Sequence, residues 1–427
     1  MSEKYEVASV KLQDMPLVPG SNAARKAILK HEINEDDLID RYYDWLRETQ
    51  NVVRQDTTDY SFFLNRMVKA FLTRTEKENQ VLSPLSIFHA LTVMVELTEG
   101  DTQREILSVL GLSDADSAET AMNLSYRANL ASGGAEVRPF AMLWFDESVN
   151  LNQHKMQEIA NTIYAGSCQG KMIDSDYQNA ISSWLNTATG STLPVESRTL
   201  KVDAKTKLIL LTTIYFHDKW ENEFERRKTK AAIFHTQEGD VRVPFMRQSC
   251  WLNVCINDSY TAVPLDFEGG DSLWFILPKE GYSPEDLLRE DFFTSFPPDW
   301  QHKAKRDVHM EIPKFDIHED FELLETLQAM GIQRLFGDNS QTPYTVTEDG
   351  LNIKIDQAKH SAKLKIDERG CEAAAYIIMM GIAAAGIPET PPRMDFILNR
   401  PFFFALTGKG NLPLFMGIVR QPETAGI

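Results

Sequence analysis

Cysteine is scarce in this chain of 427 residues. Only Cys168, Cys250, Cys255 and Cys371 occur, and no two stand in the C-x-x-C spacing of a zinc or redox site, so a disulfide framework is not expected. Positive charge is also short. Against 62 Asp and Glu there are 44 Lys and Arg, a formal charge of −18, which excludes an electrostatic nucleic-acid binder because neutralising phosphates takes clustered cations. The longest uncharged apolar run, residues 373–387, falls short of the roughly 20 residues a bilayer requires and is broken by Gly381 and Gly386. No membrane span is expected. Catalytic signatures are missing as well: there is no G-x-S-x-G elbow, Walker loop, H-E-x-x-H or G-x-G-x-x-G. None of the nine histidines has a second one three or four residues away, so no metal pair and no cofactor are expected. The opening Met-Ser-Glu-Lys-Tyr-Glu-Val lacks the charged and apolar regions of a signal peptide. Compartment stays open: extracellular or cell-surface if a leader was removed, intracellular otherwise.

What is present is material for a core. With 43% hydrophobic, 25% charged and 10% aromatic residues the composition is that of a globular protein. Residues 1–56 form a polar, acidic extension with one helix, for which Asn34 is the cap, Glu35, Asp36 and Asp37 suit the positive first turn, and Leu38, Tyr42, Trp45 and Leu46 share a face. It reads either as a terminal helix, docked or frayed, or as a functional arm.

The body starts near Tyr60, giving a second unit over residues 57–427. Ser83 then Pro84 reads as N-cap and first helical residue, followed by Ile87, Ala90, Leu91, Met94 and Val95 at helical spacing, with Gly100 as the stop. Thr102-x-x-Glu105 reads as a capping box that starts a short helix ended by Gly111. Met156, Ile159, Ala160 and Ile163 predict a further helix, and residues 208–216 a strand buried on both faces. Residues 273–277, 402–406 and 414–419 predict more strands. Helices and strands alternate without a βαβ period, so the class is α+β. One strand carries more information than the rest. Ala358, His360, Ala362, Leu364 and Ile366 alternate with Lys359, Ser361, Lys363 and Lys365, which turns His360 inward, as a hydrogen-bonded structural residue or as a ligand or catalyst. The stretch 367–393 follows a strand and ends in Gly381, Gly386, Pro388, Pro391 and Pro392. It reads as a long connection: flexible linker, functional binding loop or buried hairpin.

Six segments together resemble a known family. They are Asn79-x-x-x-Ser83-Pro84-x-Ser86-Ile87, Gly100-x-Thr102-x-x-Glu105-Ile106, Thr213-Ile214-Tyr215-Phe216-x-x-Lys219-Trp220-x-x-x-Phe224, Glu368-x-Gly370-x-Glu372-Ala373-Ala374-Ala375, Asn399-Arg400-Pro401-Phe402 and Leu414-Phe415-Met416-Gly417. In this order and spacing they resemble the signature set of the serpins. The resemblance implies one domain of three β-sheets wrapped by eight or nine helices, with an exposed reactive-centre loop at about residues 370–395. It also implies an inhibitor rather than an enzyme. A serine protease would cleave the loop, become acyl-linked to it, and be carried across the molecule as the loop inserts into the main sheet. A monomer with no cofactor and no metal is implied.

Insertion needs a loop that can become a central strand. Cys371, Ala373, Ala375, Ile377, Met379, Gly381 and Ala383 form an uncharged alternate set, with Glu372 and Tyr376 on the other face. About thirteen inserted residues at about 3.3 Å each would move a protease more than about 40 Å. The hinge, Glu368, Gly370, Cys371, Glu372, Ala373, Ala374 and Ala375, departs from the family pattern at Cys371, where Thr or Ser is usual, and its small alanines favour inhibition over the alternative, a non-inhibitory binding or chaperone-like serpin. By the same resemblance His360, Ser83 and Ser86 would form a shutter beneath the sheet, with Thr212 in place of the usual Asn, and Trp220 would be the breach tryptophan. No Lys or Arg lies between Arg369 and Arg393, which disfavours trypsin-like targets. By the loop lengths usual in that family, counting forward from Gly370 reaches Ala384 and counting back from Phe396 reaches Ile387; the preferred scissile bond is Ala384-Ala385, with Ala383, Gly386 and Ile387 as alternatives, residues that fit elastase-like or subtilisin-like pockets. Residues 113–130 hold one Arg and no Lys, so heparin binding is not expected.

Overall fold

The structure is a computed structural model that describes residues 4–10, 27–53, 58–75, 78–113, 136–189, 202–203, 205–288, 292–295, 303–336, 344–347, 355, 358–371, 391–408 and 411–422. In chain order it opens with strand β1 (Glu6–Ala8) and helix α1 (Glu35–Val53), whose Asp36 amide donates to Asn34 as expected of a cap. Helix α2 (Thr58–Leu72) and strand β2 (Gln80–Leu82) lead into α3 (Pro84–Leu97). That helix is buried almost all round, through Leu85, Ile87, Phe88, Leu91, Val93, Met94, Val95 and Leu97. An apolar circumference leaves a helix nowhere to sit but the core. Two of its buried polar groups are satisfied there, Thr92 by Phe88 O and His89 Nε2 by Ile163 O at 2.7 Å.

Two sequence expectations fail at the next turn. Gly100 does not stop α3, which ends at Thr98 with its hydroxyl returned to Met94 O. Instead Gly100 opens α4 (Gly100–Leu110), capped at Glu99 without a side-chain hydrogen bond, so Thr102-x-x-Glu105 is no capping box. Thr102 is buried, and Glu105 reaches across the fold to accept from the Gln333 and Arg334 amides. A distant pair of donors outcompetes the local one. Gly111 does end the helix, in the left-handed conformation at φ 76°.

Strand β3 (Glu136–Asp146), α5 (Gln153–Thr162), β4 (Ala165–Gly170), α6 (Ser175–Ala188) and β5 (Leu208–Lys219) follow. Then come β6 (Lys230–Thr236), β7 (Gly239–Ile256), β8 (Tyr260–Asp266), β9 (Ser272–Pro278), α7 (Pro284–Leu287), β10 (Lys303–Pro313), β11 (Phe315–Glu322) and α8 (Leu324–Met330). The last strands are β12 (Lys359–Asp367), β13 (Gly370–Cys371), β14 (Arg393–Ile397), β15 (Phe402–Gly408) and β16 (Leu412–Val419).

These strands make the three sheets expected. The main one has the order β1-β4-β3-β5-β13-β12-β11. The other two share β7, an 18-residue strand that pairs with β6 and β10 over most of its length and with β8 only through Cys255 and Ile256. Beyond that bend β8, β9, β15, β16 and β2 form the innermost sheet, whose β9, β15 and β16 are buried nearly throughout. Gly417 is obligatory there, since a Cβ would lie 2.1 Å from Gln80 O and 2.5 Å from the Phe404 ring. The expectation that β5 is buried on both faces is met only in part. Leu208 and Phe216 are buried, but Ile209, Leu210, Leu211, Thr212 and Ile214 are half-exposed.

Candidate functional site

Strands β5 and β12 occupy the centre of the main sheet, yet they are not paired with each other among the described residues. Both run antiparallel to the two-residue β13, so Lys219, Gly370 and Asp367 lie in one row, and Asp218, Cys371 and Ile366 in the next. With strands about 4.8 Å apart, β5 and β12 stand about 10 Å apart at this level. That is one strand's width.

Gly370 allows the wedge to sit there. Its φ is +149°, and a Cβ would fall 2.4 Å from Asp218 O and 2.6 Å from Lys219 Cα. The turn before it is fastened at every peptide. Trp220 N donates to Arg369 O at 3.0 Å, Phe224 N to Glu368 O at 2.8 Å, and the Trp220 indole to Asp367 O at 2.8 Å. Trp220 itself is buried and stacks on Phe267 with centroids 4.5 Å apart. Glu368 is buried too, accepting from Thr229 at 2.8 Å and pairing with Lys314 at 2.9 Å. Burial alone would raise its carboxyl, but the Lys314 ammonium, its own backbone amide and the Thr229 hydroxyl outweigh that and hold it below the ordinary carboxylate value. Asp218 Oδ2 accepts from the Gly269 amide at 2.7 Å.

A second cluster lies on the inner face of the same sheet. His360 Nε2 accepts the Ser83 amide at 3.0 Å, so the ring is neutral with its proton on Nδ1. Burial drives the histidine down to about 3, against a smaller upward pull from Asp320. Ser83 Oγ caps α3 by accepting from Ser86 N at 3.3 Å, and Ser86 Oγ donates to Thr212 Oγ1 at 3.1 Å. Ser83, Ser86, Thr212 and His360 are thus brought together across α3, β5 and β12. His360 reaches a backbone amide rather than either serine hydroxyl.

Glu368, Gly370 and Trp220 meet at one end of this sheet. Cys371 is placed there by its backbone. Glu372, Ala373, Ala374 and Ala375 of the expected hinge, and the scissile candidates Ala383, Ala384, Ala385, Gly386 and Ile387, lie outside the described residues. Lys314, Thr229, Phe267 and Asp218 were not anticipated. Each is a single residue in an ordinary strand or turn, and no local pattern marks it. Among the described residues no cluster of His, Cys, Asp and Glu is arranged for a metal ion, and no helix is long and apolar enough to cross a membrane.

The sequence profile described as Serpin (serine protease inhibitor) matches residues 58–422. The chain belongs to the serpin family. It is 26% identical over 384 residues to mouse alpha-1-antitrypsin 1-5, a stretch covering 86% of this chain and 88% of that protein. Its fold matches the native state of tengpin, a thermophilic serpin, with a TM-score of 0.73 at 23% identity, over 85% of this chain and 93% of that one. Human thyroxine-binding globulin complexed with thyroxine matches with a TM-score of 0.72 at 23% identity, over 87% and 99%. Membership and the antitrypsin relatives support serine protease inhibition and place the chain among protease inhibitors rather than catalytic enzymes.

Proposed function

We propose that this serpin is a suicide-substrate inhibitor of elastase-like or subtilisin-like serine proteases. The observation that carries the reading is the wedge: Gly370 and Cys371, the first residues of the loop, already stand between β5 and β12. A cut loop has only to continue along a track its first two residues occupy. On this reading the protease attacks the loop at Ala384-Ala385, with Ala383, Gly386 and Ile387 as the alternatives, and is trapped as an acyl-enzyme while the loop inserts. Ala373, Ala374 and Ala375 enter first and add little volume to the sheet. The breach around Trp220 and the shutter around His360 set how readily β5 and β12 part. The inhibitor acts as a monomer and without heparin.

Thyroxine-binding globulin has the same fold and is seen with thyroxine bound, so the competing reading is a non-inhibitory binding or chaperone-like serpin. One experiment separates the two. Mixed with pancreatic or neutrophil elastase and run on a denaturing gel, the inhibitor leaves a covalent band near the summed masses and its cleaved form resists heat. Cleavage with neither result sinks the inhibitory reading.

A further inference from the structure

The main sheet has an outer strand that comes from the polar extension. β1 pairs antiparallel with β4, Glu6 opposite Cys168 and Ala8 opposite Ser167, and Tyr5 O accepts the Gln169 amide at 2.8 Å. Ala8 is buried. Two further contacts leave the sheet. The Tyr5 ring meets Tyr177 of α6 edge-on at 4.9 Å, in the apolar cluster of Trp144, Met142 and Ile181 that joins α6 to the sheet's outer face. On the opposite side the Gln157 amide of α5 donates to Ser9 O at 3.4 Å. Residues 4–10 therefore touch the sheet edge, the helix above it and the helix beside it.

We propose that the edge of β4 is a strand-binding site whose occupant is the chain's own residues 4–10, and that this segment is a strap restraining the sheet from opening. The proposal rests on the inserting-loop reading. A full inserted strand needs β5 and β12 about 10 Å apart along their whole length. β5 then moves sideways with β3 and β4, which are hydrogen-bonded behind it. α5 is held to the body: His89 of α3 bonds Ile163 O just past its end, and Lys155 pairs with Glu96 at 3.7 Å. A strap fixed to β4 and also to α5 is sheared by that movement. Without it the shear meets less resistance, and insertion speeds up.

The test compares the full chain with a form lacking residues 1–10 and with Tyr5→Ala and Gln157→Ala. Each is mixed, uncleaved, with a synthetic peptide of residues 371–383, and uptake is followed by the gain in heat resistance. The truncated form is expected to take up the peptide about tenfold faster, equivalent to about 1.4 kcal/mol of barrier, and each point variant a few-fold faster. The point variants keep the test open if the truncation fails to fold. Equal rates in all four proteins overturn the strap. So does self-association of the truncated form at an unchanged uptake rate, which would make residues 4–10 an edge cover only. Failure of every form, the elastase-cut full chain included, to gain heat resistance would instead refute the inserting-loop reading on which the strap depends.

Discussion

Lowering the pH should weaken the sheet through His360, by an amount the structure allows to be worked out. Its Nε2 accepts the Ser83 amide, so a proton there would break that bond and place a charge in a site only 6% exposed. Burial therefore lowers the group from 6.5 to about 3. A depressed histidine means that the unfolded chain binds the proton first, so stability is whole above about pH 6.5 and falls as pH drops from there towards about 3. Between about pH 7 and about pH 5 the linkage relation gives a loss of about 2 kcal/mol from this residue. His360→Gln keeps an acceptor for Ser83 but cannot titrate over this range. Urea unfolding followed by tryptophan fluorescence at both pH values should show the wild type losing about 2 kcal/mol more than His360→Gln. His89, also lowered by burial, is common to both proteins and cancels. An identical pH dependence would mean that His360 is protonated in the folded protein and that the Ser83 bond is wrongly assigned.

Three further outcomes are expected. Lys314→Ala leaves the Glu368 carboxylate buried with Thr229; because Lys314 is about a third exposed, the cost is discounted to about 1–2 kcal/mol in urea unfolding. Glu368 is held below its ordinary 4.5, so its contribution is present above that pH and disappears as pH falls through the depressed value; the variant should lose less on acidification. Gly370→Ala cannot seat β13 against Asp218 O and should speed amide exchange at Trp220, whose N–H donates to Arg369 O, so unchanged exchange there would refute the wedge. Ala375→Arg puts a long cation on the face that insertion buries, converting inhibitor to substrate while cleavage survives; with Glu372→Ala as the control, retention of wild-type stoichiometry against elastase would show the proposed register to be wrong.

Within the fold, the parts legible in the sequence are those governed by near neighbours. Ser83-Pro84 starts α3 because a cap and a proline act within one turn, and the alternation from Ala358 to Ile366 turns His360 inward because side-chain direction in a strand depends only on parity. Where a distant partner offered a better bond, local reading failed. Glu105 had a plausible capping role and took the Gln333 and Arg334 amides instead. The partial exposure of β5 was likewise invisible, since an apolar run does not say how completely each face of its strand is covered.

By itself the sequence determined the α+β class, the family through six spaced segments, and the alternate uncharged set of the loop, all properties of order and spacing along one chain. Only the tertiary structure decided that Lys314 and Thr229 hold Glu368, that the His360 partner is the Ser83 amide, and that Glu6–Ala8 form the outer strand of the main sheet. Those contacts join residues 54, 139, 277 and about 160 positions apart. Nothing in a local pattern selects such partners. They are chosen by which surfaces remain to be buried and which donors remain to be satisfied once the sheets have packed.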